Sequence, residues 1–181
     1  LNEQLFKLLS QEPNFEDITS LTRKNAIVEE KRYIQMITHW WDYLTQLSHN
    51  LLQDFESFPN KSLIEGHLST FSILTNDNNM FIHRQSTIKE FTSLDASNGP
   101  IFIDAGVLIH PFVSIIGPCY IGKNSIINAH TTISNSYVGE HCKIGGEVKN
   151  SIIQSYSNKA HDGFLGDSLV GEWVNLGAGT T

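Results

Sequence analysis

An aliphatic residue at every sixth position, a glycine or asparagine directly after it, and a small or β-branched residue four places on together predict a mainly β chain, wound as a parallel β-helix of hexapeptides. The first regularity runs through Ile103, Ile109, Ile115, Ile121, Ile127 and Ile133. Neither the period of an α-helix nor that of a half-buried strand produces this spacing. After a five-residue step the series resumes at Val138 and Ile144, and it becomes irregular around Ile152 and Ile153. It returns at Leu165, Val170 and Leu176, and it extends backwards to Ile82, Ile88 and Leu94.

The second regularity is Gly122, Gly139, Gly145, Gly166, Gly171 and Gly177, with Asn128 and Ser134 in the same slot. A tight corner after each strand favours such residues. The third is Val107, Val113, Cys119, Ser125, Thr131, Cys142 and Val148. Each hexad then supplies one short strand and one corner of a triangular coil, with the aliphatic pointing inward. Coils stack at the usual strand spacing of roughly 4.8 Å. Known hexapeptide helices coil left-handed, so a left-handed parallel β-helix is expected. Cys119 and Cys142 both fall in the small slot and read as core filler, since a free cysteine packs as a small hydrophobe.

Upstream, Ile34, Ile37, Trp41, Leu44, Leu51 and Phe55 recur at mostly helical steps, with Trp40, Leu47 and Leu52 beside them. This predicts an amphipathic helix from about Glu29 to Ser57, stopped near Pro59, with the Trp40-Trp41 pair in packing contacts or, as the alternative, in contact with an upstream domain. Leu1–Leu9 is a shorter helix candidate. Residues 61–80 fit a loop, a strand or a short hairpin. The division expected is therefore a helical linker over 1–80, the tail of an upstream domain, and a β-helix over 81–181. The chain opens on Leu1 and stops within its repeat, the pattern expected of part of a longer protein.

Twelve Lys and Arg stand against nineteen Asp and Glu, a formal net charge of −7. That balance argues against a nucleic-acid groove. No apolar run is long enough to span a bilayer. The two cysteines form no disulfide framework and no CxxC pair, so a cytoplasmic protein is expected. Neither GxGxxG nor GxxxxGK[ST] occurs.

The stretch GGEVKNSIIQSYSNKAHDGFLGDSLVGEWVNLGAGTT, residues 145–181, resembles the acetyltransferase domain of bacterial bifunctional enzymes. These combine glucosamine-1-phosphate N-acetyltransferase with N-acetylglucosamine-1-phosphate uridylyltransferase. The likeness is greatest to a divergent sugar-nucleotidyltransferase branch. The hexads from residue 82 add a generic match, and HWWDYL with LLQDF resembles the link between the two domains. The resemblance implies an acyltransferase that moves acetyl from acetyl-CoA to the amine of an amino-sugar 1-phosphate, in the synthesis of UDP-N-acetylglucosamine. It implies His161 as catalytic base, placed by the LGD step ending at Asp167. It implies Lys149 on the sugar phosphate, Glu147 two residues before it, and Asn175 on the amino sugar. Phe164 stands where the better-known branch has tyrosine. The family arginine that grips the phosphate has no counterpart, because no arginine follows Arg84. The resemblance also implies a homotrimer with sites between neighbouring β-helices, and acetyl-CoA held largely by coils beyond Thr181.

Chemistry alone supports part of this. Amine acetylation needs a base for the amine proton and donors for the developing oxyanion. Imidazole is the side chain whose ordinary titration suits that base at neutral pH. His161 falls where the six-residue register is expected to break, between Ile153 and Leu165, and such a break lets a side chain project into a cleft. Lys149 is expected about two hexads earlier, off the face directly beneath His161. Asn175 offers a donor and an acceptor. A plain corner histidine, a solvated lysine and an asparagine bonded along the coil are the structural alternatives. Asp162 and Asp167 read as turn residues. Two other functions compete: a non-catalytic β-helix that trimerises or regulates a sugar-1-phosphate nucleotidyltransferase, and a zinc site built from His110, His130 and His141. The three histidines occupy different slots in their hexads, which weighs against zinc.

Overall fold

A computed structural model describes residues 37–59 and 61–180. The Leu1–Leu9 helix and the first part of the Glu29–Ser57 helix lie outside the described residues. The rest of the latter forms two pieces, α1 (Asp42–Thr45) and α2 (Leu47–Ser57). The pieces bury Leu47 and Phe55. Trp40 and Trp41 do not enter that packing; they are 74 % and 61 % exposed and stack on Tyr43 and His39. The three-and-four spacing placed Trp41 on the buried stripe, but α2 alone provides the face that meets the strands. Neither helix is long and apolar enough to cross a membrane.

From Leu63 the chain is a mainly β, parallel solenoid, as the hexads predict. Residues 61–80, open between loop, strand and hairpin, form its first coil: β1 (Leu63–Ile64), β2 (His67–Leu68) and β3 (Ile73–Thr75). Three parallel ladders run along it. The first face carries β1, β4 (Met80–Ile82), β7 (Ile101–Ile103), the end of β9 (Ser114–Ile121), the end of β11 (Thr132–Val138), β14 (Ile152–Ile153) and β17 (Leu169–Val170). The second carries β2, β5 (Thr87–Ile88), β8 (Leu108–Ile109), β10 (Ile126–Ile127), β12 (Lys143–Ile144) and β15 (Asn158–Lys159). The third carries β3, β6 (Ser93–Asp95), the starts of β9 and β11, β13 (Glu147–Lys149) and β16 (Phe164–Gly166).

Inside this tube the aliphatics of one ladder stack on those of the next coil, and Ile82, Ile103, Ile109, Ile115, Ile121, Ile127 and Ile133 have no exposed surface. The small slots carry the polar bookends of each corner. Ser151 donates its hydroxyl to the Lys149 carbonyl and accepts the Ser168 amide, while Ser136 does the same for Ser134 and Ser151. Backbone groups at a corner are thereby paired without water. Cys119 and Cys142 sit in the core as expected, and burial pushes the Cys119 thiol up to about 12.

Outward-facing Phe81, Phe102, Tyr120 and Tyr137 form a ladder of rings on the first face, with neighbouring centroids 4.4 to 5.4 Å apart. Phe58, just after α2, packs edge-on to Phe81 and Phe102. Offset and edge-to-face rings suit the aromatic quadrupole. Among the described residues the helix thus covers the first face, whose outward side is aromatic.

Two sequence expectations change. Val148 is not a small-slot residue; it fills the inward aliphatic slot of the third face, between Ile133 and Leu165. Nor does the register break between Ile153 and Leu165. Lys159, six residues from each, pairs with Ile144 in the inward slot and is buried.

Candidate functional site

His161 stands in the sixth coil, on the corner between the second and third faces. The strand β15 delivers the chain to that corner, and residues 160–163 turn it into β16. The side chain is exposed, and among the described residues no group hydrogen-bonds its ring. Beside it opens a cleft of about 580 Å³, lined by His161, Asp162, Phe164, Leu165, Leu176 and Thr180 among others.

Glu147 and Lys149 stand on the third face of the fifth coil. Their register partners in the sixth are Phe164 and Gly166, so the four outward positions make a two-by-two patch next to the His161 corner. The Glu147 amide donates to the Gly163 carbonyl at 3.0 Å, which ties the patch to the corner. The Phe164 ring folds back over Gly166, where a Cβ would strike it. Lys149 is off the position directly beneath His161, as its spacing predicts. Both it and Glu147 are exposed, with the cation and the anion two residues apart on the same strand face.

Asn175 is not in this group. It lies on the second face, one coil beyond Asn158, and its Oδ1 accepts the Asn158 amide at 2.8 Å. This is the coil-to-coil bond considered as its structural alternative. The same holds for Asp167, whose carboxylate accepts the Asn150 side chain at the opposite corner, above an Asn135–Asn150 pair. Ser48 of α2 caps that ladder by donating to Asn135 at 2.6 Å. Asp162 faces the cleft. His130 and His141 occupy different corners: His130 stacks on Phe112, and His141 on Tyr156.

Sequence reasoning gave Lys159 no role at this site, noting only that the Lys159-Ala160 pair stands one residue closer to the histidine than in the better-known branch of the resembled family. The Lys159 ammonium donates to the carbonyls of Gly145 at 2.6 Å, Gly163 at 2.8 Å and His161 at 3.1 Å. Burial holds its titration below the ordinary 10.5, with Asp162 opposing that shift. The signal was present as arithmetic, since Ile153, Lys159 and Leu165 keep the six-residue step.

Comparisons with known proteins agree with this architecture. Residues 100–135 match the family described as bacterial transferase hexapeptide (six repeats). Curated relatives named Bifunctional protein GlmU match as well. That of Picosynechococcus sp. is 41 % identical over 70 residues, 37 % of this chain and 16 % of its own length. That of Rippkaea orientalis is 31 % identical over 114 residues, 43 % of this chain and 25 % of its own length. That of Alkaliphilus metalliredigens is 24 % identical over 182 residues, 81 % of this chain and 37 % of its own length. The chain thus spans well under half the length of these relatives. It carries a transferase-type hexapeptide β-helix, and it resembles the acetyltransferase β-helix domain of the bifunctional enzymes.

Proposed function

We propose that this β-helix transfers acetyl from acetyl-CoA to the amine of an amino-sugar 1-phosphate, of the glucosamine-1-phosphate kind. The observation that carries the reading is the His161 corner: an exposed imidazole with an unbonded ring at the mouth of a cleft, one coil from an outward lysine. Acetyl-CoA supplies the thioester. His161 accepts the proton that the amine loses as its nitrogen bonds to the acyl carbon and the thiol leaves. Lys149 offers a cation to the sugar phosphate and Glu147 an acceptor beside it. Phe164 presents a ring where the amino sugar would lie. Asn175 contacts the sugar once it turns from Asn158. Assembly as a homotrimer in the cytoplasm, with neighbouring helices completing each site, belongs to the same reading.

A second reading is a non-catalytic module that trimerises or regulates a sugar-1-phosphate nucleotidyltransferase. The absence of arginine after Arg84 favours it, since a bidentate phosphate grip is then missing from this face.

The deciding experiment follows thiol release from acetyl-CoA with glucosamine-1-phosphate as acceptor, with His161→Ala alongside. Transfer that falls on the order of a hundredfold or more in His161→Ala supports the catalytic reading. No transfer, or transfer indifferent to the substitution, moves the assignment to the assembly module.

A further inference from the structure

Along the second face the inward column reads Leu68, Ile88, Ile109, Ile127, Ile144 and then Lys159. A lysine can occupy an aliphatic slot because its methylene stem packs like a hydrocarbon while its head reaches for polar company. An ammonium has three N–H groups. Here each has an acceptor: one carbonyl in the coil below, Gly145, and two in the corner itself, His161 and Gly163.

The room for that head comes from a shortened corner. The inward residues of β10 and β11, Ile127 and Ile133, are six apart, whereas Ile144 and Val148, one coil on, are only four apart. The Gly145-Gly146 turn between them is recessed. Asn128 of the fourth coil therefore reaches past it and donates to the Ala160 carbonyl of the sixth at 3.1 Å. Gly146 has φ 72°, and a Cβ on it would lie 2.6 Å from the Gly163 oxygen and 3.0 Å from the Lys159 ammonium. Below, the buried Thr131 hydroxyl has no partner among the described residues. Among the described residues the His161 carbonyl accepts from Lys159 alone.

We infer that Lys159 is the positioning residue of the His161 site: its buried ammonium clamps the corner 161–163 onto the recessed Gly145-Gly146 turn and so fixes where the imidazole points. The inference rests on the catalytic reading of His161 for its consequence, though the clamp itself does not need that reading.

The test compares the wild-type protein with Lys159→Met, which keeps the stem and removes the donors, and with Lys159→Arg, which keeps donors. Backbone hydrogen exchange is read at the amides of Gly145 and Glu147, which donate to the Lys159 and Gly163 carbonyls, and, as a control, at 103–133. Acetyl transfer is measured in parallel with His161→Ala. Lys159→Met is expected to exchange about tenfold faster or more at Gly145 and Glu147 with the control unchanged. Its kcat should fall about ten- to hundredfold, with KM for the acceptor within about threefold, and Lys159→Arg should recover part of both. Unchanged exchange at Gly145 and Glu147 would overturn the clamp, as would a Lys159→Arg protein as loose as Lys159→Met. Faster exchange with full transfer would overturn the positioning role. If His161→Ala itself keeps wild-type transfer, the catalytic reading fails, and the exchange data still decide whether Lys159 holds the corner.

Discussion

The third and fourth coils and the sixth are built from the same hexad, yet they use it differently. In the earlier coils every inward slot is aliphatic and sealed: Ile103, Ile109, Ile115, Ile121, Ile127 and Ile133 have no accessible surface. In the sixth, one inward slot holds Lys159, and the corner beside it carries an exposed histidine. Repetition supplies stability, because each coil's apolar face is covered by the next. A site for chemistry needs the opposite, a polar group held at a defined place, and the candidate site stands where one slot of the repeat is filled against its own pattern.

That contrast can be broken most sharply in the core. Ile109→Ala, in the sealed column, is expected to lose about 3–4 kcal/mol in urea unfolding, whereas Lys159→Met, which keeps the stem and removes only the donors, should lose about 1–3 kcal/mol. Equal losses would show that the polar slot of the sixth coil stabilises as much as an aliphatic one. Next in size is Ser151→Ala at about 1–3 kcal/mol, because it leaves the Ser168 amide without its acceptor.

Alkaline titration separates the two regions by sign. Burial raises the Cys119 thiol from 9.0 to about 12, so the folded chain keeps a proton the unfolded chain releases, and stability falls as pH rises past about 9. Lys159 is lowered from 10.5, so below that value the unfolded chain binds the extra proton, and stability rises with pH through the window just under it. Lys159→Met removes the rising contribution. Its urea midpoint should therefore drop more steeply than wild type between about pH 9 and pH 10.5, and parallel curves would refute the assignment. Both thiols, being buried, should react with a thiol reagent at neutral pH only at the rate of unfolding.

The smallest effect is expected at the exposed rings. Phe112 stacks between Phe91 and His130 at 5.0 Å from each, on a solvent-facing corner. Phe112→Ala should cost about 1 kcal/mol or less in the same unfolding assay.

Much of the fold was legible because period six is rare and its physical cause, inward stacking, acts on every coil. The first coil was harder to read, since Ile64, Leu68 and Leu74 keep uneven steps around two turns. The Trp40-Trp41 pair was misplaced because helical spacing reports a stripe, not which turn of it meets a partner. At the candidate site the offset of Lys149 was readable from counting residues, whereas the register break expected at His161 is absent because Lys159 keeps the six-residue step. Lys159 was not readable, because a search for aliphatics passes over a residue whose stem is aliphatic and whose head is not. The two-residue shortening at Gly145-Gly146 looked like irregularity until strand pairing showed Val148 in the inward slot.

That shortening has a geometric consequence. Fifteen residues separate Val138 from Ile153 around the fifth coil, against eighteen from Ile103 to Ile121 around the third. A rod of equal turns looks the same at every height, so nothing approaching it could find one level rather than another. A turn with a smaller perimeter draws in one edge and leaves a step there, immediately under His161. Along the first face the described turns run from 15 to 21 residues, and this one is the shortest, so its step marks the height at which the imidazole is presented.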